Sequence, residues 1–132
     1  MPAQIPAEFR DLLEKKAFAH LATLMADGSP QSTPVWVDLH DGFVRVNSAK
    51  GRLKDKNMRR DGRVALSIHD PDNPYRYLEI RGKVVDITET GADAHIDSLA
   101  KKYMGLDQYP LRKPGEQRVI YKIDPQRFST MG

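Results

Sequence analysis

The sequence predicts a mostly antiparallel α+β protein, a small β-barrel carrying a few helices. Three observations carry this. Apolar runs of strand length are joined by two short Asp-Gly turns, Asp27-Gly28 and Asp41-Gly42, which allow only antiparallel neighbours. Runs such as Tyr77 to Arg81 alternate apolar and polar residues with period two. Between them lie a basic stretch and an Ile96-Leu99-Ala100-Tyr103 stripe, both with helical spacing.

The elements follow in order. Pro6 suits the first position of a helix over Ala7 to Lys16, with Phe9, Leu12 and Leu13 on one side. Ala17 to Met25 reads as a buried strand, His20 among its core residues. Ala26-Asp27-Gly28-Ser29-Pro30 is a turn, and Gln31 to Leu39 the returning strand. Pro34 marks that strand as an edge or a bulge. His40-Asp41-Gly42 turns the chain into Phe43 to Asn47. After the basic helix come strands Val64 to His69 and Tyr75 to Thr88, with Gly82 a bulge. A helix capped by Thr90 or Asp93 runs to Tyr103 and stops at Gly105, with His95 on its polar face. A polar loop, Leu106 to Glu116, leads to a sixth strand, Gln117 to Ile123, and a closing turn at Asp124 to Phe128.

Composition narrows the chemistry. The 132 residues fit one domain. There is no cysteine, hence no disulfide, no thiolate nucleophile and no cysteine-based metal site. Four histidines, His20, His40, His69 and His95, lie on separate elements without metal-ligand spacing, and no metal is expected. No signal-type segment or long apolar run occurs, so the expectation is a cytoplasmic protein without a membrane partner. The formal charge is +3, but outside Lys50 to Arg60 it becomes −2, since 15 bases there face 17 acids. Positive charge is local, as an anion site requires.

That site is expected in Asn47 to Asp61, NSAKGRLKDKNMRRD. Ser48 is the expected helix N-cap, and Gly51 permits close backbone approach to a ligand. Arg52, Lys56, Arg59 and Arg60 share a solvated arc. Leu53, Asn57 and Met58 share the opposite one, and Lys54 falls between. A lysine near the buried side of a first helical turn calls for an anionic partner, and that turn already favours phosphate. Trp36, Tyr75, Tyr77, Tyr103 and Tyr109 supply flat surfaces to frame a planar ligand. A nucleic-acid-binding barrel would spread its bases across strands rather than confine them to one helix, so no nucleic acid is expected.

Taken together, Ala-Asp-Gly-Ser-Pro, Pro-Val-Trp-Val, the Asp-Gly turn, the basic stretch and Arg-Val-Ala-Leu-Ser resemble the pyridoxamine 5′-phosphate oxidase-like split β-barrel superfamily. They are similar in particular to its branch using the deazaflavin coenzyme F420. Arg52-x-Lys54-x-x-Asn57 is the most specific part of the resemblance. The resemblance implies an FMN-binding split-barrel type of fold and a homodimer with cofactor sites at the subunit interface. It also implies hydride transfer to an unsaturated or quinone-like small molecule. Arg52 and Lys54 would hold the cofactor phosphate, Ser48 and Asn57 assisting, within the segment Asn47, Ser48, Ala49, Lys50, Gly51. Pro34, Val35 and Trp36 would lie along the ring, with Tyr75 or Tyr77 reaching in from the partner. An FMN-dependent oxidoreductase and a flavin- or deazaflavin-binding protein without turnover are the alternatives. For the proton donor, His69, Tyr103 and water remain open. The C-terminal arginine motif of the pyridoxamine phosphate oxidases themselves is absent, which argues against that substrate.

Overall fold

A computed structural model describes residues 2–132. Seven antiparallel strands form one sheet: β1 (Ala19–Leu24), β2 (Pro30–Val35), β3 (Val37–His40), β4 (Phe43–Ala49), β5 (Arg63–Asp70), β6 (Asn73–Thr88) and β7 (Arg118–Met131). Helix α1 (Asp11–Glu14) follows a short 3-10 turn at Ala7–Phe9. Helix α2 (Leu53–Arg60) links β4 to β5, and α3 (Ala92–Met104) links β6 to β7.

The strand order is β2-β1-β5-β6-β7-β4-β3, so β2 and β3 are opposite edges of the sheet. Yet only Trp36 separates them in sequence. The sheet therefore has to curl until its edges meet at that residue, which makes a half-barrel. Inward-facing Leu21, Val35, Val37, Val44, Val46, Leu66, Ile68, Leu78, Ile80, Val119, Tyr121 and Ile123 fill it, and Leu12, Leu13 and Met58 close it over. A second, smaller cluster of Ile96, Leu99 and Tyr103 lies under α3, with Trp36 and Tyr109 against it.

Several expectations are corrected here. The Gln31 to Leu39 strand is two strands, because the chain changes sheet edge at Trp36. Strand β7 runs to Met131, well past Ile123, since pairing with β6 from Tyr77↔Met131 onward carries it through the expected closing turn. The N-terminal helix is broken, with Arg10 ending one turn and preceding the next. Helix α3 is entered through Gly91 in a left-handed conformation, with no side-chain cap from Thr90 or Asp93. His20 is exposed and stacks on His69, because only the Ala19, Leu21 and Thr23 parity of β1 faces inward.

Other expectations hold. Asp41 and Gly42 both take positive φ in the two-residue turn between His40 and Phe43. Pro34 lies on an edge strand. Gly82 sits at a register shift, and a Cβ there would collide with the Asp124 carbonyl oxygen of β7. Gly82→Ala is accordingly expected to destabilise the protein by about 2 kcal/mol through backbone displacement. A lower urea midpoint at unchanged m-value would show it.

Candidate functional site

A cleft of about 320 Å³ opens where the sheet edges meet. Pro34, Val35 and Trp36 line it from the seam, and Asn47 from β4. Arg52 and Lys54 come from the start of α2, Ile96 from α3 and Arg118 from β7, with Phe18, Tyr109 and Leu111 completing it. Its lining combines aromatic rings with three cations, Arg52, Lys54 and Arg118.

The aromatic rings form a layered stack. Trp36 lies parallel to Tyr103 at 5.2 Å between ring centroids, and Tyr103 lies parallel to Phe18 at 5.6 Å. Tyr109 meets Trp36 edge-on at 5.9 Å. The Tyr103 hydroxyl donates to the Ala17 carbonyl at 2.7 Å and accepts from the Val37 N–H at 3.2 Å, which pins α3 beside the seam. Burial raises its pKa to about 12.

Among the cations, Arg52 reaches Glu116 at 3.4 Å and Arg118 reaches the other oxygen of Glu116 at 3.0 Å. Lys54 differs. Burial lowers its pKa, the nearby Arg52 and Arg118 lower it further, and no carboxylate among the described residues counters them. A cation so placed favours an incoming anion.

Asp55 sets the start of α2. Its carboxylate is buried, 2% exposed, and reaches back to the Gly51 N–H at 2.9 Å. It also accepts from Arg59 at 2.9 Å and from the Tyr121 hydroxyl of β7. Gly51 needs its freedom, with φ of 93°. An acid at the third helical position reaching back past the N-cap takes the part expected of Ser48.

Ser48 is thus a correction. It lies within β4, paired with Val119, and its buried hydroxyl shares the inward register of Val44 and Val46. The β4–β7 ladder extends through Ala49 and displaces the local cap. Asn57 is buried but turned away from the cleft, donating to Thr23 Oγ1 at 3.0 Å and so tying α2 to β1. Lys50 is exposed and pairs with Glu89 at 3.6 Å. Ala49 pairs with Arg118 in the ladder. Tyr77 sits opposite His69 and Met131, and Tyr75 is 78% exposed. Of the expected site residues, Pro34, Val35, Trp36, Asn47, Arg52 and Lys54 meet in the cleft, whereas Ser48, Ala49, Lys50, Gly51, Asn57 and Tyr77 do not line it. Neither does His69 or Tyr103.

Sequence reasoning missed two residues that bear on the cleft: Arg118, which lines it, and His95, which contacts the lining residue Asn47. Arg118 is 5% exposed and lies under the Tyr109 ring at 5.2 Å. Its signal was faint: a lone base opening the last strand with the parity opposite to the core. His95 was expected on a polar face, but α3 packs over β4, and the ring is 4% exposed. It contacts Asn47 at 3.1 Å and Asp38 at 3.1 Å. Burial of Asp38 opposes its charge, yet His95 and Arg45 hold its pKa down to about 2. A carboxylate with a depressed folded pKa stabilises the fold above its unfolded value, and that stability is lost as pH falls through the folded one. Acid unfolding should thus steepen between pH ~4 and ~2, by about 2 kcal/mol. Asp38→Asn should flatten that limb of the urea-midpoint profile.

Among the described residues, no group of three or more His, Asp or Glu side chains is placed to hold a metal ion, and no helix is long and apolar enough to cross a membrane.

Comparison with known proteins adds the following. A search of curated proteins gives no match. A solved F420 reductase superposes with a TM-score of 0.83 at 36% identity, covering 95% of this chain and 98% of that one. A conserved hypothetical protein from Mycobacterium tuberculosis superposes with a TM-score of 0.75 at 25% identity, over 98% of this chain and 86% of its own. The haem storage protein HutZ from Vibrio cholerae shares the fold, with a TM-score of 0.69 at 14% identity over 98% and 96% of the two chains. The family described as pyridoxamine 5′-phosphate oxidase matches residues 5–132, nearly the whole chain. With its curled antiparallel sheet and a cleft at the seam, this protein belongs to the pyridoxamine 5′-phosphate oxidase family, in the split-barrel fold.

Proposed function

We propose that the cleft binds coenzyme F420 and that the protein is an oxidoreductase acting on an unsaturated or quinone-like small molecule. The observation that carries this reading is Lys54, half-buried near Arg52 and Arg118 with no carboxylate partner among the described residues, in a cleft that aromatic rings also line. A planar ring bearing a phosphate matches both features. Similarity to an F420 reductase at 36% identity supports the deazaflavin over FMN.

In this reading Arg52, Lys54 and Arg118 hold the phosphate, and Asn47 meets the polar chain next to it. Pro34, Val35 and Trp36 flank the ring, and Phe18 and Leu111 exclude water from its outer side. When bound, the deazaflavin supplies hydride transfer, so the protein's work is to orient and shield. Tyr103 is engaged with the Ala17 carbonyl and serves position rather than proton transfer.

Exposed Phe18, Tyr75 and Met131 support a homodimer in which the partner's sheet face, Tyr77 included, covers the open side of the cleft. The protein is proposed to work in the cytoplasm.

The test is titration with F420 and, separately, FMN, followed by quenching of Trp36 fluorescence. Preferential binding of F420, followed by turnover of enones or quinones, supports the proposal. Preference for FMN moves the protein to flavin chemistry. Binding without turnover makes it a carrier, and binding of neither removes the cofactor reading.

A further inference from the structure

Asn47 stands between a cleft arginine and a buried imidazole, and the chemistry of its neighbours fixes the direction of every hydrogen bond around it. Arg118 Nε can only donate, so the Asn47 atom 2.9 Å from it has to be the amide oxygen. The Ala92 carbonyl can only accept, so the atom 2.9 Å from it has to be the amide nitrogen. That same nitrogen lies 3.1 Å from His95 Nδ1, which must therefore present a lone pair. The imidazole proton then sits on Nε2 and is donated to Asp38 Oδ2 at 3.1 Å. Arg45 holds both oxygens of Asp38, at 2.9 and 2.7 Å, so the carboxylate has no freedom to turn away.

The amide has two orientations related by a half-turn. In the alternative, its nitrogen would face the Arg118 N–H and its oxygen the Ala92 carbonyl, donor against donor and acceptor against acceptor. A proton on His95 Nδ1 would likewise oppose the amide N–H. All four links lie in buried or half-buried surroundings, where an unmade hydrogen bond costs most.

We infer that His95 is a positioning residue: locked by Asp38 as the Nε2–H tautomer, it holds the Asn47 amide in the one orientation that gives Arg118 its acceptor, and so fixes the guanidinium in the cleft. The functional meaning of this rests on the cleft being an anion site, as proposed above. The chain of contacts does not. It spans β3, β4, α3 and β7, so the helix inserted between the last two strands helps to set a charge carried by β7.

Nitrogen-15 NMR of the protein without ligand tests this directly. The His95 ring should show the Nε2–H tautomer, and the Arg118 Nε–H should be a resolved, slowly exchanging resonance. In His95→Phe, close in size and unable to accept, that proton should exchange about tenfold faster. His95→Gln, which offers one acceptor and one donor, should restore slow exchange, and a role in packing alone would not produce that pattern. If His95→Phe fails to fold, the tautomer in the wild-type protein and the Gln variant still decide. An Nδ1–H tautomer, an imidazolium at neutral pH, or Arg118 exchange that is the same in the folded variants overturns the inference. Titration of the same variants with inorganic phosphate separates the two ideas. An intact tautomer chain without phosphate binding removes the anion-site reading and leaves the positioning role standing.

Discussion

Lys54→Ala is expected to weaken F420 binding by about 10- to 150-fold, the worth of one charge-assisted hydrogen bond of about 1.5–3 kcal/mol. The variant should nevertheless fold normally. Lys54 is half-buried, and the two arginines beside it push its pKa down in addition to burial, so its charge opposes folding instead of assisting it. Lys54→Met, which keeps the apolar stem, should therefore raise the melting temperature rather than lower it. A residue that is costly to the fold and needed for binding is held by function. Fluorescence titration and thermal melts of both variants measure the two effects side by side. Undiminished binding in Lys54→Ala would contradict the assignment. A lowered melting temperature in Lys54→Met would show that the lysine has a structural partner.

The largest loss of stability is expected at Asp55. Its replacement by Ala leaves the fully buried Tyr121 hydroxyl and the Gly51 N–H without their acceptor and releases Arg59. Losing one side of such a buried arrangement costs about 3–5 kcal/mol. Tyr121→Phe removes only one donor and should cost about 1–2 kcal/mol. Denaturant unfolding ranks the pair. Binding should follow, since Asp55 fixes the backbone at Gly51 from which Arg52 and Lys54 project. Cofactor added to Asp55→Ala should restore less stability than it adds to the wild type. Equal midpoints for Asp55→Ala and the wild type would refute the role.

Asp55 also illustrates what local sequence conceals. Helical angles placed Lys54 correctly at the boundary between arcs and Asn57 and Met58 inside, but they placed Leu53 inside as well, and it is 47% exposed. They gave no reason to bury an aspartate next to Lys54, because the reason is Tyr121, 66 residues away. Turns, hairpins and the α3 stripe were legible because each is settled by near neighbours: positive-φ residues at Asp41-Gly42, or spacing over Ile96 to Tyr103. The break at Trp36 was not, since it arises from closure of the sheet. Ser48 read well as a cap until the ladder with β7 extended over it. His95 and Arg118 were missed for the same reason: each acquires its meaning from an element far away in the chain.

That ladder also constrains how the molecule is made. The hairpins β1–β2, β3–β4 and β5–β6 each pair neighbours in sequence and can form while synthesis continues. Strand β7 alone joins the β6 side of the sheet to the β4 side. Until it leaves the ribosome, β4 and β6 both offer unpaired edges, and Asn47 and Arg118 have yet to meet. The nascent chain is therefore most exposed to misassociation before β7 emerges. Barrel closure and completion of the cleft become a single event, and a chain stalled short of β7 would have neither.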